Sequence, residues 1–280
     1  MTDLHMHTNL SDGTDTTQEL LAKVESIGLD VFSITDHDDI ESNEIALSTI
    51  QQRKFDAKFV TGCEISTIYN NFDIHLLFYN FDIKDDCISQ LLKKMKTLRT
   101  QRNFAMFEHL KSVHNIVFDE DVKSKLLQRK ILGKVHFANA ILKQDASLIW
   151  QQIFDNFLND MDDTDFRIQA STVFEMLKDA KGVVSLAHPI EIQEDHNLNF
   201  EQLFKLIKNL KDLGLVSLEV YHNKHTQRHI MQYSKIADEL SLKVSAGSDY
   251  HGTNKKVALG QVTADGSVPS SKQITILNCF

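Results

Sequence analysis

Pairs of metal-binding residue types stand near both ends of this sequence. His5 and His7 are one residue apart in DLHMHTNLSDGT, and Asp249 and His251 have the same spacing in GSDYHG. In an extended strand, residues i and i+2 point to the same side, so each pair can present two donor atoms to one ion. Imidazole and carboxylate groups are common protein ligands of zinc, manganese and iron. The two pairs therefore indicate a metal site.

Other histidines and carboxylates follow apolar, strand-like runs between these pairs. They are His37 in ITDHDD, Glu64 in TGCEIS, His75 in FDIHLLFYNF and His188 in SLAHP. In a parallel α/β barrel the carboxyl ends of the strands share one mouth, so residues distant in sequence meet there. We expect these side chains to converge on one metal centre. Four histidines in polar or helical stretches are expected to be structural: His109, His114, His196 and His229.

Short apolar runs alternate with helical patterns over most of the chain, which is typical of α/β proteins with parallel strands. A helix is predicted to start at Thr16 and Thr17 and to stop at Gly28. A strand is predicted from Val31 to Ile34, and QITIL, which ends at Leu277, is a candidate final strand. These elements have to place the polar residues that follow them.

The segment from 88 to 177 differs, because its apolar residues follow a nearly continuous helical pattern with no convincing strand. We interpret it as a helical insertion, in the role of a lid, within a domain formed by residues 1–87 and 178–280. The length of 280 residues fits one large α/β domain with an insertion better than several small domains.

Composition excludes several classes of protein. The formal net charge of −9 disfavours a long nucleic-acid surface but allows a small phosphorylated ligand. No apolar run approaches the roughly 18 residues of a membrane helix, and the first residues lack a signal-peptide pattern. Cys63, Cys87 and Cys279 lack CxxC spacing, so free thiols are expected. We expect a cytoplasmic protein and make no prediction of its oligomeric state.

Five motifs, DLHMHTNLSDGT, ITDHDD, TGCEIS, AHP and GSDYHG, resemble those of the PHP (polymerase and histidinol phosphatase) family, in family order over residues 3 to 252. The resemblance implies a distorted (β/α)7 barrel with a trinuclear metal cluster at its mouth. It also implies which residues bind each ion. The first ion is assigned to His5, His7, Glu64 and Asp249, the second to Glu64, His75 and His188, and the third to Asp12, His37 and His251.

Clustered divalent ions indicate phosphoester hydrolysis, because they activate a water molecule and neutralise phosphate oxygens. The implied ligands include only three carboxylates, so three ions would leave an excess of positive charge that suits a phosphate. We expect two or three ions of manganese, zinc or iron, with metal-bound hydroxide as the nucleophile and no side-chain nucleophile. Asp36 is expected to orient an imidazole from behind the ligands.

The candidates for substrate binding are cations and histidines outside the ligand set. Arg99 and Arg102 are spaced i, i+3 on one helix face, and a guanidinium suits bidentate phosphate binding. Lys134 and His136 lie in GKVHFANAIL, which resembles the GRPHxA segment of the PHP phosphoesterases that act on nucleotides, with lysine in place of arginine. His222 and His225 follow a strand and are further candidates for the pocket.

The hypothesis that combines these features is a metal-dependent phosphoesterase acting on a small phosphomonoester, with a nucleoside 3′,5′-bisphosphate as the favoured substrate. Trimming of short RNA from its 5′ end, as by a 5′-3′ exoribonuclease, is a close variant. Histidinol-phosphate phosphatase and a non-catalytic, metal-binding PHP module are the alternatives. Amidohydrolase chemistry also stays open, although its usual carboxylated lysine cannot be located.

Overall fold

The structure is a computed structural model and describes residues 1–129 and 131–280. The chain divides into two compact units, of which the larger comprises Met1–Leu91 and Gln169–Phe280 and the smaller comprises Leu92–Ile168. The boundaries differ from the expected insertion at 88–177, because the helix Ala170–Leu177 belongs to the larger unit.

The described residues form nine strands and ten α-helices. The strands are β1 (Thr2–Asp3), β2 (Val31–Phe32), β3 (Lys58–Phe59), β4 (Gly62–Tyr69), β5 (Phe72–Tyr79), β6 (Ile168–Gln169), β7 (Val183–Leu186), β8 (Ser217–His222) and β9 (Lys243–Gly247). The first five helices are α1 (Thr17–Ile27), α2 (Glu41–Gln52), α3 (Asp86–His114), α4 (Glu120–Leu127) and α5 (Lys134–Gln144). The other five are α6 (Trp150–Ile153), α7 (Ala170–Leu177), α8 (Pro189–Asp195), α9 (Phe200–Leu213) and α10 (Gln227–Glu239).

The strands belong to two sheets, and the α/β class is confirmed. One sheet is parallel with the order β1-β2-β3, and the other has the order β6-β4-β5-β7-β8-β9. The expectation of parallel strands fails at two pairs, because β5 runs antiparallel to both β4 and β7. Only two residues separate β4 from β5, and so short a connection permits a hairpin but not a parallel crossover.

Backbone hydrogen bonds join the segment after β1 to β9 and to the segment after β9. The amide of Leu4 donates to the carbonyl of Ala246 at 2.9 Å, and the amide of Asp249 donates to the carbonyl of His5 at 2.8 Å. The amide of His7 donates to the carbonyl of Tyr250, also at 2.8 Å. These bonds place the two residue pairs from opposite ends of the sequence side by side.

Local signals explain the first helix but not the last predicted strand. Thr16 and Glu19 form a capping box at the start of α1, and Gly28 ends it with a left-handed φ of 72°, as predicted. The prediction of a strand at QITIL is wrong, because Thr275–Cys279 form a 3₁₀ helix. The hydroxyl of Thr275 instead accepts a hydrogen bond from the amide of Val244 in β9.

The smaller unit has an apolar core of its own. Its buried residues include Phe107, Leu110, Phe137, Ile141 and Leu158, contributed by α3, α5 and the π-helical turn Phe154–Leu158. The aromatic rings of Phe107 and Phe137 contact edge to face at 4.9 Å. Among the described residues, no helix is long and apolar enough to cross a membrane.

Candidate metal centre

A single buried carboxylate lies at the centre of the candidate site. Glu64 is on β4, its side chain is 1% exposed, and five imidazoles surround it. The nitrogen-to-oxygen distances are 3.1 Å for His5, 3.1 Å for His7, 2.8 Å for His75, 3.0 Å for His188 and 3.4 Å for His37. A carboxylate with both oxygens shared among several imidazoles is the arrangement of a ligand that bridges two ions.

One group of donors contains the four residues assigned above to the first ion. His5, His7, Glu64 and Asp249 are all buried, and their donor atoms lie within 4.8 Å of one another. The Nε2 atoms of His5 and His7 are 3.5 and 3.4 Å from Oδ1 of Asp249. Two imidazoles and two carboxylates at these separations can enclose one divalent ion.

A second group forms around Asp12, which lies in the loop after the first histidine pair. One carboxylate oxygen of Asp12 is 3.2 Å from Nε2 of His251 and 3.6 Å from Nδ1 of His7, and the other is 3.7 Å from Nε2 of His37. The resemblance placed Asp12, His37 and His251 together, and the structure adds His7 to them. His7 therefore belongs to two donor groups.

A third group of donors also contains Glu64. Donor atoms of His37, Glu64 and His75 lie within 4.8 Å of one another. His75 and His188 both face Oε1 of Glu64, whereas His5 and His7 face Oε2. All nine candidate ligands thus lie around one site in the larger unit.

Buried imidazole nitrogens without a hydrogen bond indicate that the donor set fits a metal ion. Both ring nitrogens of His7, and Nδ1 of His37 and His188, are buried and lie 3.1–3.6 Å from carboxylate oxygens, but none makes a hydrogen bond of acceptable geometry within the part of the chain that the structure describes. A buried polar atom without a partner is costly, whereas coordination of a cation uses the nitrogen lone pair. The orphaned nitrogens therefore favour a divalent ion at this site.

The carboxylates attract positive charge into the site. Burial alone lowers the pKa of an imidazole, yet Asp249 and Glu64 hold the pKa of His7 at about 9. Burial likewise opposes charge on His5, but Glu64, Glu219 and Asp249 raise its pKa well above the usual value. In both cases negative potential exceeds the cost of desolvation, and a divalent cation would satisfy the same potential.

Backbone strain occurs at two of the candidate ligands. His188 has a φ of 23° and Asp249 has a φ of 53°, values that residues with a Cβ atom rarely adopt. Such conformations cost about 1–3 kcal/mol each and persist where the surrounding structure holds a side chain in a required direction. Only glycine fits at position 247 without a shift of its neighbours, because a Cβ atom there would lie 2.1 Å from the Cβ atom of His5.

Glu219 contacts two candidate ligands and was missed by the sequence interpretation. It is fully buried on β8; one carboxylate oxygen lies 3.1 Å from Nδ1 of His5, and the other accepts a hydrogen bond of 2.7 Å from the backbone amide of His188. Because Nδ1 of His5 faces Glu219, its Nε2 faces Glu64. A charged residue inside the apolar run VSLEV was the available signal.

Glu219→Gln is expected to weaken metal binding and turnover by about 10- to 100-fold while the protein stays folded, the usual effect of changing the partner of a metal-bound histidine. Glutamine keeps the size of the side chain but lowers the basicity that Glu219 gives to His5. Metal affinity, turnover and circular dichroism measured on one preparation test this. Wild-type affinity and turnover would show that Glu219 is a packing residue only.

Asp36 contacts a loop rather than an imidazole. One of its oxygens accepts hydrogen bonds from the amide of Thr8 at 2.7 Å and the hydroxyl of Ser11 at 2.5 Å, and the other accepts from the hydroxyl of Thr8 at 2.7 Å. Asp36 therefore fixes the loop that connects His7 to Asp12. This differs from the expected role, since these hydrogen bonds orient the loop backbone.

The two histidines after β8 have different surroundings. His222 is buried with Nε2 3.7 Å from Asp249, so it borders the donor groups. His225 is also fully buried, its Nδ1 is 2.8 Å from the carbonyl of Val220, and its ring contacts Tyr233. The side chain of His225 packs inside the protein, and its contact with substrate stays a prediction.

Four of the expected substrate-binding residues lie in the smaller unit. Arg102 donates to the carbonyl of Leu132 at 3.0 Å, and Lys134 donates to the side chain of Asn159 at 3.1 Å. The ring of His136 accepts a hydrogen bond from the amide of Gly133 and so caps the start of α5. These contacts give three of the side chains a role within their own unit. Phosphate binding by Arg99, Arg102, Lys134 or His136 stays a prediction.

Comparison with known proteins identifies the class. A model of the PHP domain matches residues 3–252, so the chain belongs to this family. A 5′-3′ exoribonuclease of Haemophilus influenzae is 26% identical over 262 residues, which cover 92% of this chain and 93% of the relative. A 3′,5′-nucleoside bisphosphate phosphatase of Chromobacterium violaceum is 21% identical over 252 residues, covering 89% and 86%.

A solved structure supports the fold over almost the whole chain. It is a proposed metal-dependent phosphoesterase from Bifidobacterium adolescentis, which superposes with a TM-score of 0.79 at 24% identity. The match covers 99% of this chain and 95% of that one. The two proteins therefore share their overall fold.

Proposed function

We propose that this chain is a metal-dependent phosphoesterase that hydrolyses a phosphomonoester of a small nucleotide. The observation that carries the proposal is the buried carboxylate of Glu64, which five imidazoles surround at 2.8–3.4 Å. A bridging carboxylate holds ions close together, as two-metal phosphoryl-transfer sites require. Membership of the PHP family and the names of the two relatives point to the same chemistry.

The proposed ligands are the residues of the three donor groups together with His188. His5, His7, Glu64 and Asp249 would hold one ion, and Glu64, His75 and His188 a second, while Asp12, His37 and His251 would hold a third. Divalent ions in such a site lower the pKa of bound water and neutralise phosphate oxygens. Glu219 keeps Nε2 of His5 directed at Glu64, and Asp36 fixes the loop that carries Asp12.

Charge balance favours an anionic substrate. The proposed ligands contain three carboxylates, Asp12, Glu64 and Asp249, and Lys255 adds a cation 2.5 Å from Asp249. Two or three divalent ions would more than cancel the three negative charges, so the loaded site attracts a phosphate. We infer a nucleoside 3′,5′-bisphosphate as the substrate, in line with the Chromobacterium violaceum relative.

A second candidate is stepwise hydrolysis of short RNA from its 5′ end. It is favoured by the relative of higher identity, the exoribonuclease of Haemophilus influenzae, which matches 92% of this chain. Both candidates use the same donor groups. They differ in whether the phosphate leaves as inorganic phosphate or stays on a released mononucleotide.

The test is a substrate panel with the purified full chain loaded with manganese, zinc or iron. We expect inorganic phosphate from adenosine 3′,5′-bisphosphate, at a rate above that with histidinol phosphate. Mononucleotides released from a 5′-phosphorylated trinucleotide would instead support the second candidate. The absence of any hydrolysis with all three metals would contradict a phosphoesterase.

A further inference from the structure

A further group of donor side chains lies in the smaller unit. It contains His109 and His114 of α3 and Asp160, which follows the π-helical turn Phe154–Leu158 by two residues. Nε2 of His109 is 2.9 Å from one carboxylate oxygen of Asp160, and Nε2 of His114 is 2.7 Å from the other. All three donor atoms lie within 4.8 Å of one another.

The neighbouring side chains hold the two imidazoles in place. The rings of His109 and His114 contact each other edge to face with centroids 5.2 Å apart, and the ring of Phe157 lies against His114 at 5.1 Å. Only 17% and 15% of the histidine side chains are exposed, whereas 35% of Asp160 is exposed. The donors are therefore preorganised, and one side stays open to an ion and to water.

From this geometry we propose that His109, His114 and Asp160 bind a zinc-type divalent ion. Two imidazole nitrogens and one carboxylate oxygen form a common zinc ligand set, and water completes the tetrahedron. Donor atoms around a tetrahedral ion are about 3.3 Å apart, given bond lengths of about 2.0–2.1 Å. The observed separations of 2.9 and 2.7 Å are to different oxygens of Asp160, so binding through one oxygen requires the carboxylate to turn and the donors to separate by roughly 0.5 Å.

The ion takes the place of the two hydrogen-bonding protons between the Nε2 atoms and Asp160. In the metal-free protein each Nε2 shares a proton with an oxygen of Asp160; on binding, a neutral imidazole carries its proton on Nδ1 instead, or an imidazolium releases its Nε2 proton to water, and the Nε2 lone pair faces the ion. The ion then fastens the end of α3 to the residues after the π-helical turn. This site is separate from the donors around Glu64, since no residue is common to both.

Asp160→Asn tests the proposal, because asparagine nearly keeps the shape of the side chain but removes its charge. We expect wild-type protein to bind one more zinc ion per chain than the variant after gel filtration, with affinity at the lost site reduced by about 100-fold or more. Asp162→Asn is the matched control: its carboxylate accepts a hydrogen bond from the amide of Thr164 and belongs to none of the donor groups. It should keep wild-type zinc content.

A second measurement uses wild-type protein, so it does not depend on the folding of a variant. Crystals grown with zinc should show an anomalous-scattering peak between His109, His114 and Asp160. His114→Gln should then lose the same ion as Asp160→Asn, with hydrolysis by the larger unit's site unchanged. Equal zinc content in wild type and variants, or no peak at this position in the wild type, would overturn the proposal.

Discussion

Glu64→Gln is expected to lower phosphoesterase turnover by about 1000-fold or more, since metal ions in such sites supply several kcal/mol of transition-state stabilisation. The substitution keeps the length of the side chain but removes the negative charge that five imidazoles surround. One of the two shared oxygens becomes an amide nitrogen, which cannot bind a cation. We therefore also expect fewer divalent ions per chain. Turnover and elemental analysis of the same sample measure both effects.

Glu44→Gln is the matched control for this change. Glu44 is exposed on α2 and belongs to none of the donor groups in the described residues, so its variant should behave as wild type. If Glu64→Gln retained wild-type turnover and metal content, Glu64 would not be a shared ligand. The proposed function would then lose the observation that carries it.

His7→Ala is expected to have an effect of similar size, about 1000-fold on turnover, because His7 belongs to two of the donor groups. Its ring nitrogens lie 3.1–3.6 Å from Glu64, Asp249 and Asp12 but do not meet hydrogen-bond geometry, so the substitution removes contacts within the donor groups only. The fold should therefore persist, with a thermal transition within a few degrees of wild type in the presence of chelator. Activity assays and calorimetry on the same variant provide the measurement.

The same variant separates an enzyme from a module that binds metal only for structure. In an enzyme, His7→Ala loses turnover and stays folded. In a structural module, the wild type has no turnover. The variant His7→Ala then loses the stabilisation that added metal gives to the wild-type protein. His196→Ala serves as the control, because His196 is a half-buried histidine of the same unit outside the donor groups and its ring contacts Phe72.

Sequence reasoning selected Glu64 and His75 for a geometric reason that the structure corrects. Glu64 was expected at the end of a parallel strand and His75 inside a strand whose mouth end it shares, but both lie within the antiparallel strands β4 and β5. Ser66 pairs with His75, and Glu64 is two residues before Ser66, so Glu64 and His75 are diagonal neighbours on one face. The residue types indicated the chemistry, whereas the hairpin register determines the contact.

Spacing predicts partners only where the backbone between them is local and regular. The i, i+2 rule suffices for His5 with His7, because an extended segment carries both. It gives no information on Glu219, whose partners are 214 residues away at His5 and 31 residues away at His188. The left-handed backbone at His188 is equally invisible in the sequence, since neighbouring strands and helices impose it.

The hydrogen bond between the amide of Asp249 and the carbonyl of His5 has a consequence for biosynthesis. A growing chain that has reached Leu240 already contains seven proposed ligands, from His5 to His188, but still lacks Asp249 and His251. The group of proposed metal ligands is therefore incomplete until the ribosome has added residues 249–251. Ribosome-bound intermediates should take up metal weakly, and tight loading should follow the late docking of the segment after β9.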